Sequence, residues 1–148
     1  MANPLYDRLF GAHTGAQTAF LILPDGAVIT HDAFLRRAAQ FANAITEMGL
    51  VAGDRLAVQI GKSPEALMVY AACAQAGVIF LPLNTAYTAP EVEYFVENAG
   101  AKLLLCDAAK QESLTPVAAR HGAAIEVLNG DGSGSMADLA AASLNAMA

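Results

Sequence analysis

The sequence is poor in charged residues, and basic residues are fewer than acidic ones. Asp, Glu, Lys and Arg make up 15% of the 148 residues, and eight Lys and Arg face fourteen Asp and Glu, for a formal net charge of −6. Binding to a nucleic-acid backbone or to an anionic membrane surface depends on clustered positive charge. The composition therefore argues against nucleic acid and membrane as partners.

Long apolar runs and cysteine patterns are missing as well. No stretch of about 18 apolar residues could span a bilayer, and the first ten residues contain Asn3, Asp7 and Arg8 where a secretory signal would be apolar. Cys73 and Cys106 lack C-x-x-C spacing and are too few for a disulfide scaffold. We expect a cytoplasmic protein whose two cysteines are small buried side chains without a metal-binding or catalytic role.

Hydrophobic residues are in excess. They make up 55% of the chain, and the mean hydropathy is +0.41. Charged residues usually reach about a quarter of a soluble domain, so this chain has few polar residues to cover its outer surface. We expect part of its apolar surface to be covered by further protein.

One central stretch carries the clearest local signals. Ser63 suits a helix N-cap, Pro64 follows at the first helical position, and Gly77 permits a left-handed stop, so we predict a helix between them. Residues 78–81 form a short apolar run rich in β formers. We predict a strand there that is covered on both faces and closed by Pro82.

The next segment predicts a loop followed by a second helix. After a loop at residues 83–87, Thr88 and Glu91 have the spacing of a capping box, so the helix should begin near Ala89. We expect the side chain of Asn84 to hold the loop through hydrogen bonds to the backbone. Because this loop leaves the carboxyl end of a strand, a role of Asn84 in a ligand pocket is the alternative. The apolar side chains on one face of the helix are Val92, Phe95 and Val96.

The N-terminal third predicts a short helix and a β-hairpin. The helix covers residues 4–10, and the two strands, 19–23 and 27–30, flank the turn Pro24-Asp25-Gly26.

A long helix should follow, capped by Thr30 or Asp32 and ending at Gly49. We expect Arg36 and Arg37 on its solvated side. Its apolar residues recur at spacings of three and four: Phe34, Leu35, Ala38, Phe41, Ala42, Ile45 and Met48.

The remaining pattern alternates strands and helices. The predicted strands are residues 56–60, 102–106 and 123–128. A helix around 113–121 should be shortened or delayed by Pro116, and a final helix should cover 136–147. The sequence thus predicts an α/β fold: an incomplete doubly wound, mostly parallel sheet with helices on both faces, preceded by a β-hairpin and without an internal linker.

The most tempting site is the glycine-rich segment Gly130-Asp131-Gly132-Ser133-Gly134-Ser135 between a strand and a helix. Backbone N–H groups at such a position can bind phosphate. However, Ser135 replaces the third glycine of G-x-G-x-x-G, and Asp131 would repel an anion. We interpret the segment as a surface loop, with an anion site as the alternative.

No other side chains form a catalytic pattern. The three histidines, His13, His31 and His121, are scattered without ligand spacing. Glu91 is explained by capping, Glu93 and Glu97 by a solvated helix edge with slight repulsion, and Lys62 by a turn. We therefore predict no catalytic, cofactor-binding or metal-binding residue in this chain.

Several motifs resemble the N-terminal part of the acyl-activating, adenylate-forming ligases. They are residues 53–55 (GDR), 62–67 (KSPEAL), 75–84 (QAGVIFLPLN), 91–95 (EVEYF), 101–107 (AKLLLCD) and 131–135 (DGSGS). Within that family, residues 83–88 (LNTAYT) are most similar to the malonyl-CoA synthetases.

The resemblance implies an enzyme that joins a carboxylic acid to AMP with ATP and Mg²⁺, releases pyrophosphate, and passes the acyl group to CoA. The family's phosphate loop, its Tyr-Gly-x-Thr-Glu segment, its ribose-binding aspartate and its C-terminal lysine have no counterpart in this chain. The resemblance implies that ATP, Mg²⁺, CoA and a malonate-like acid are bound by a full-length ligase.

We thus expect residues 1–148 to form a single N-terminal segment of such a ligase, inactive alone, that forms a homodimer or associates with the C-terminal portion. A stand-alone Rossmann-like nucleotide-binding module and a dimerising scaffold are the alternatives.

Overall fold

The protein is an α/β fold in which an antiparallel hairpin precedes a parallel sheet. A computed structural model describes residues 4–10 and 15–143. The elements in chain order are α1 (Pro4–Leu9), β1 (Ala19–Ile22), β2 (Val28–Thr30), α2 (His31–Glu47), β3 (Arg55–Gln59), α3 (Pro64–Ala76), β4 (Ile79–Pro82), α4 (Ala89–Ala99), β5 (Leu103–Cys106), α5 (Ala108–Arg120), β6 (Ala124–Val127) and α6 (Ser135–Ala142).

The parallel sheet is wound outward in both directions from β3. Its strand order is β4-β3-β5-β6, and every neighbouring pair is parallel, whereas β1 and β2 form a separate antiparallel pair. In the register of the sheet, Leu56 lies opposite Phe80 on one side and Leu103 on the other. The predicted fold class is confirmed, and the order of the strands reverses between β3 and β5.

Two hydrophobic clusters cover the two faces of the sheet. Leu56 and Val58 of β3 pack with α2, α3 and α6, whereas Ala57 packs with α4 and α5. Leu103 and Leu104 of β5 divide between the same two clusters. This alternation follows from the two-residue period of a strand, and it confirms that helices cover both faces.

The prediction that residues 78–81 are covered on both faces is wrong for the strand itself. Val78 is buried, but Ile79 is 46% exposed, and Phe80 and Leu81 are only half-buried. The reason is position: β4 is an edge strand, and within residues 4–10 and 15–143 it pairs with β3 alone. An uninterrupted apolar run is compatible with a central strand and also with an apolar edge strand, so it does not predict which of the two forms.

The helix signals near the sheet are confirmed. The Ser63 hydroxyl accepts a hydrogen bond from the Ala66 N–H at 3.0 Å, and Gly77 ends α3 with a φ of +74°. In the same way, the Thr30 hydroxyl accepts from the Ala33 N–H at 3.1 Å at the start of α2. These caps determine where the chain leaves and enters each strand.

The prediction that Pro116 shortens or delays its helix is wrong. Helix α5 begins directly after its N-cap, Asp107, and Pro116 lies in its interior. Pro116 is exposed, so the carbonyl that loses its helical donor needs no partner from the protein. Leu114 and Val117 are buried on the opposite side, and their packing holds the helix through the proline.

The final helix begins one residue earlier than predicted, at Ser135, and extends to Ala142. The rest of the predicted helix, up to residue 147, lies outside the described residues. Within residues 4–10 and 15–143, no helix is both long enough and apolar enough to cross a membrane.

Candidate functional site

The carboxyl edge of the sheet is where a doubly wound fold builds ligand sites. Ligands bind outside the carboxyl ends of strands, at the point where the strand order reverses. In this protein that point lies between β3 and β5, so Gln59 and Asp107 flank it. The loops after β4 and β6 border the same edge.

Gln59 fastens the loop after β4 to the end of β3. Its side chain is 1% exposed, and its Nε2 donates to the carbonyls of Asn84 and Tyr87 at 2.9 and 3.0 Å. The Asn84 Oδ1 in turn accepts from the Ala86 N–H at 2.8 Å, which confirms the predicted turn-holding role of Asn84. The loop is therefore tied to the end of β3, beside the point where the strand order reverses.

Sequence reasoning missed the role of Gln59. The available signal was a single amide in the otherwise apolar segment Leu56-Ala57-Val58-Gln59-Ile60. A polar side chain that is buried at a strand end needs hydrogen-bond partners, and the neighbouring loop supplies them here.

A second set of contacts joins the loops to α5. Lys110 donates from its Nζ to the Thr85 carbonyl. Asn129, after β6, accepts at its Oδ1 from the Ala108 N–H at 2.8 Å, and so caps α5 from a distance. Asp107 Oδ1 is buried without a hydrogen-bond partner among the described residues. The Lys110 and Asn129 hydrogen bonds fasten the loops at this edge to α5.

The two cysteines are unsuited to nucleophilic chemistry. Burial raises the pKa of the Cys73 thiol to about 12. The pKa of Cys106 is raised to about 11, first by burial and then by the Asp107 carboxylate, with Lys110 opposing the shift. Because the thiolate is the reactive form, these raised pKa values and the burial of both side chains disfavour a nucleophilic role at neutral pH.

The glycine-rich loop after β6 uses its donors internally. The N–H groups of Asn129 and Gly132 donate to the carbonyls of Ser133 and Asn129, at 2.8 and 3.0 Å, and the Ser133 N–H donates to the Asp131 carboxylate at 3.0 Å. The pKa of Asp131 is lowered by the hydrogen bonds from the Ser133 hydroxyl and N–H, so it is anionic at neutral pH. A Cβ at Gly132 would lie 3.0 Å from the carboxyl carbon of Glu65. This cradle, with two carboxylates beside it, does not fit the phosphates of a nucleotide.

Gly134 in this loop has a packing reason. Its φ is +127°, and a Cβ there would come within 2.3 Å of the Val127 carbonyl oxygen. The glycine lets the start of α6 pass directly against the end of β6.

The predicted capping role of Glu91 is confirmed, whereas the prediction that Glu93 lies on a solvated helix edge is wrong. The Glu91 carboxylate accepts from the N–H and the hydroxyl of Thr88 at 3.0 and 2.9 Å. Glu93 binds Arg120 through two bonds of 2.7 and 2.9 Å and His121 through one of 2.9 Å. It joins α4 to α5 instead of lying on a solvated edge, because the C-terminal end of α5 packs beside α4 and brings Arg120 and His121 to it.

The remaining sequence candidates are not brought together. His31 lies at the start of α2, with its Nδ1 2.9 Å from the Thr18 hydroxyl, and His121 ends α5. His13 lies outside the described residues. Within residues 4–10 and 15–143, no three His, Cys, Asp or Glu side chains approach one another as metal ligands would.

An apolar groove lies between the hairpin and α3. We call it the hairpin groove; it has a volume of about 680 Å³ and includes Leu21, Ile22, Leu67, Tyr70 and Phe80 in its lining. Ile22 is 75% exposed and Leu67 46% exposed. Lys62 is the one charged residue among the described residues that line it.

Comparison with known proteins identifies the family to which the chain belongs. A family described as AMP-binding enzyme matches residues 10–146. Acetyl-coenzyme A synthetase of Mycobacterium tuberculosis is 36% identical over 81 residues, which are 55% of this chain and 12% of that protein. Feruloyl-CoA synthase of an Amycolatopsis species is 33% identical over 94 residues, which are 64% of this chain and 19% of that protein.

Among solved structures, the fold is similar to apo MatB from Rhodopseudomonas palustris. The TM-score is 0.90 at 40% sequence identity, and the match covers 95% of this chain and 28% of MatB. The same figures hold for ATP-bound MatB and for an ATP-bound chimera that contains part of MatB. The chain thus spans between 12% and 28% of the length of these relatives.

Proposed function

Because the chain belongs to the AMP-binding enzyme family, we propose that residues 1–148 act as one N-terminal structural unit of an ATP-dependent acid–CoA ligase. The observation that carries this proposal is the match to MatB across 95% of the chain at a TM-score of 0.90. The curated relatives named above are a synthetase and a synthase of CoA thioesters, which favours the same class.

In this proposal the chain contributes position and not chemistry. A carboxylate is a poor acyl donor, so a ligase first converts it to an acyl adenylate with ATP and then transfers the acyl group to the CoA thiol. In this proposal, parts of the ligase outside this chain stabilise the charges of both steps. The hydrogen bonds from Gln59 and Lys110 hold the loops at the carboxyl edge of the sheet. The remaining parts of a ligase would place their substrates beside this edge.

ATP is bound in one MatB structure, and we propose ATP, Mg²⁺ and CoA as the ligands of the complete enzyme. We also propose a malonate-like acid as its substrate. The support is the resemblance of residues 83–88 to malonyl-CoA synthetases and the 40% identity to MatB.

Three further expectations belong to this proposal. The chain is inactive by itself, because the motifs that bind nucleotide and metal in the family have no counterpart in it. It covers its apolar surface by association with the rest of a ligase or, as the alternative, with a second copy, which sedimentation at several concentrations would detect. A cytoplasmic location is tested by fractionation.

The test is a chimera in which this chain replaces the matched N-terminal 28% of MatB. We expect the purified chimera to form a CoA thioester from malonate faster than from methylmalonate or acetate, with intact MatB as the positive control and the isolated chain as the negative one. A folded chimera without ligase activity would contradict the proposed function. The proposed acid is tested on the complete ligase that contains residues 1–148, which should form a CoA thioester from malonate faster than from acetate.

A further inference from the structure

We propose that Asn129 is a site of spontaneous deamidation, and that its conversion loosens the glycine-rich loop after β6. The juxtaposition that carries this is an asparagine followed directly by an exposed glycine, Gly130, whose backbone nitrogen can attack the asparagine side chain. The chemistry needs only this chain and water, so it goes beyond the proposed function and does not depend on it.

Asn129 is the one asparagine of the sequence that precedes a glycine. The other asparagines precede proline, alanine or threonine. A side chain on the following residue hinders the approach of its nitrogen and narrows the backbone angles that the attack can use, whereas glycine does neither. The sequence therefore singles out one asparagine for this reaction.

The backbone around Gly130 leaves its nitrogen accessible. Gly130 is exposed, and a Cβ built on it would meet nothing within 4 Å. Within residues 4–10 and 15–143, no group accepts a hydrogen bond from its N–H, whereas the N–H groups of Asn129 and Gly132 in the same loop donate to carbonyls at 2.8 and 3.0 Å. Water and hydroxide therefore reach the Gly130 N–H, whose proton must leave before the nitrogen attacks.

The hydrogen bonds of the Asn129 side chain favour the same reaction. Its Oδ1 accepts from the Ala108 N–H at 2.8 Å, and its Nδ2 donates to the Ser133 hydroxyl at 3.2 Å. The first bond polarises the amide carbonyl and sets the partly positive start of α5 against Oδ1, where negative charge gathers during the attack. The second bond is at the long end of the normal range and joins exposed groups, so it holds the leaving nitrogen only weakly.

The reaction exchanges an amide for a carboxylate. The Gly130 nitrogen loses its proton to hydroxide and forms a bond to the Asn129 Cγ, the bond from Cγ to Nδ2 breaks, and the leaving nitrogen takes a proton from water and departs as ammonia. Water then adds to either carbonyl of the cyclic imide and breaks the bond from that carbonyl to nitrogen. The product at position 129 is aspartate or isoaspartate, and the overall change consumes water, releases ammonia and transfers no electrons.

The product conflicts with the hydrogen bonds of the loop. The Ser133 hydroxyl has a single proton, which it donates to the Asp131 carboxylate at 2.5 Å. A carboxylate at position 129 removes the donor that Nδ2 supplies and brings a second negative charge to this hydroxyl. Isoaspartate also lengthens the main chain by a carbon atom, in a loop so tightly packed that a Cβ at Gly134 would lie 2.3 Å from the Val127 carbonyl oxygen.

Incubation of the folded chain at neutral and at mildly alkaline pH, followed by peptide mass spectrometry, tests the proposal. Asn84 is the matched control within the same chain: it is more exposed than Asn129, and its Oδ1 also accepts from a backbone N–H, that of Ala86, at 2.8 Å. We expect deamidation at Asn129 to be at least about tenfold faster than at Asn84, because Thr85 follows the latter where glycine follows the former. The rate at Asn129 should rise with the hydroxide concentration, and ammonia should be released in equal amount.

Gly130→Ala separates the chemistry from the fold. Because the added Cβ meets nothing within 4 Å, the melting temperature should be unchanged while the deamidation rate at Asn129 falls to that at Asn84. The modified chain carries an additional negative charge, so anion exchange separates it from the unmodified chain. We expect faster amide hydrogen exchange in the modified chain at Gly132, whose N–H donates to the Asn129 carbonyl.

Equal deamidation rates at Asn129 and Asn84 would overturn the proposal, and so would deamidation of Asn129 that occurs in urea but not in the folded chain. An unchanged rate in a folded Gly130→Ala variant would contradict the attack by the Gly130 nitrogen. Equal hydrogen exchange at Gly132 in the modified and unmodified chains would show that the loop is not loosened. If Gly130→Ala does not fold, the comparison of Asn129 with Asn84 in the parent chain still decides.

Discussion

Replacing Gln59 by leucine tests whether one buried amide holds the loop at the carboxyl edge of the sheet. Leucine is similar in size but cannot donate, so Gln59→Leu removes the bonds of 2.9 and 3.0 Å to the Asn84 and Tyr87 carbonyls. Gln59 is 1% exposed, so water cannot take its place without opening the loop.

The magnitude follows from the number of bonds. A hydrogen bond contributes about 0.5–1.5 kcal/mol net, so the loss of two lowers the free energy of unfolding by about 2 kcal/mol. For a chain of 148 residues, this corresponds to a fall in melting temperature of about 5 °C. The greater part of the loss should fall on the loop, because both carbonyls belong to it.

Urea unfolding followed by circular dichroism measures the loss, and amide hydrogen exchange locates it. The control is Gln111→Leu, which removes an amide from an exposed position of α5 and should change stability by less than about 0.5 kcal/mol. Exchange at Ala86 and Tyr87 should become faster in Gln59→Leu only. If Gln59→Leu unfolds at the same urea concentration as Gln111→Leu, the clamp has no energetic role.

Two further predictions concern the contact between α4 and α5 and the glycine-rich loop after β6. Hydrogen bonds from Arg120 and then from His121 lower the pKa of Glu93 to about 2 from its ordinary 4.5, so the stabilisation by Glu93 is complete above pH 4.5 and is lost as the pH falls toward 2. In Glu93→Gln the free energy of unfolding should therefore depend less on pH between 4.5 and 2 than in the parent chain. Parallel curves of unfolding free energy against pH for the two proteins would refute this. Gly134→Ala should cost about 3 kcal/mol, because its φ is +127° and the new Cβ would clash with the Val127 carbonyl, whereas Gly130→Ala meets nothing within 4 Å and should be nearly neutral by urea unfolding.

Local signals were sufficient to predict the framework of the fold. Ser63 and Gly77 bracket α3 because a hydroxyl cap and a left-handed stop act on the backbone nearby, without help from distant residues. The same holds for Thr30 at the start of α2 and for the hairpin turn at Gly26, whose φ is +89°. Such interactions are visible in a sequence because their partners lie within a few residues of one another.

The errors arose where the outcome depends on distant partners. The exposure of Ile79 depends on which strands flank β4, and a run of apolar residues does not determine the order of strands in a sheet. Pro116 is tolerated because Leu114 and Val117 pack against the sheet, which only the assembled fold shows. Glu93 meets Arg120 across 27 residues of sequence.

The candidate site shows the same division. The hydrogen bond from the Ala86 N–H to Asn84 spans two residues and was predictable, whereas the bonds from Gln59 reach across 25 and 28 residues and were not. Asp131 and Ser135 argued against a phosphate site from the sequence, whereas the position of Glu65 beside the loop required the structure. Assignment to a ligase came from resemblance and from the comparisons, not from any arrangement of reactive side chains.

ATP–pyrophosphate exchange tests the central claim most directly, because it reports adenylate formation without the later transfer to CoA. The assay compares the isolated chain with the chimera that carries it in place of the matched part of MatB, each with malonate and with no acid. We predict malonate-dependent exchange by the chimera and none by the isolated chain above a vector control. Exchange catalysed by the isolated chain, or a folded chimera that binds ATP but never exchanges, would contradict the account.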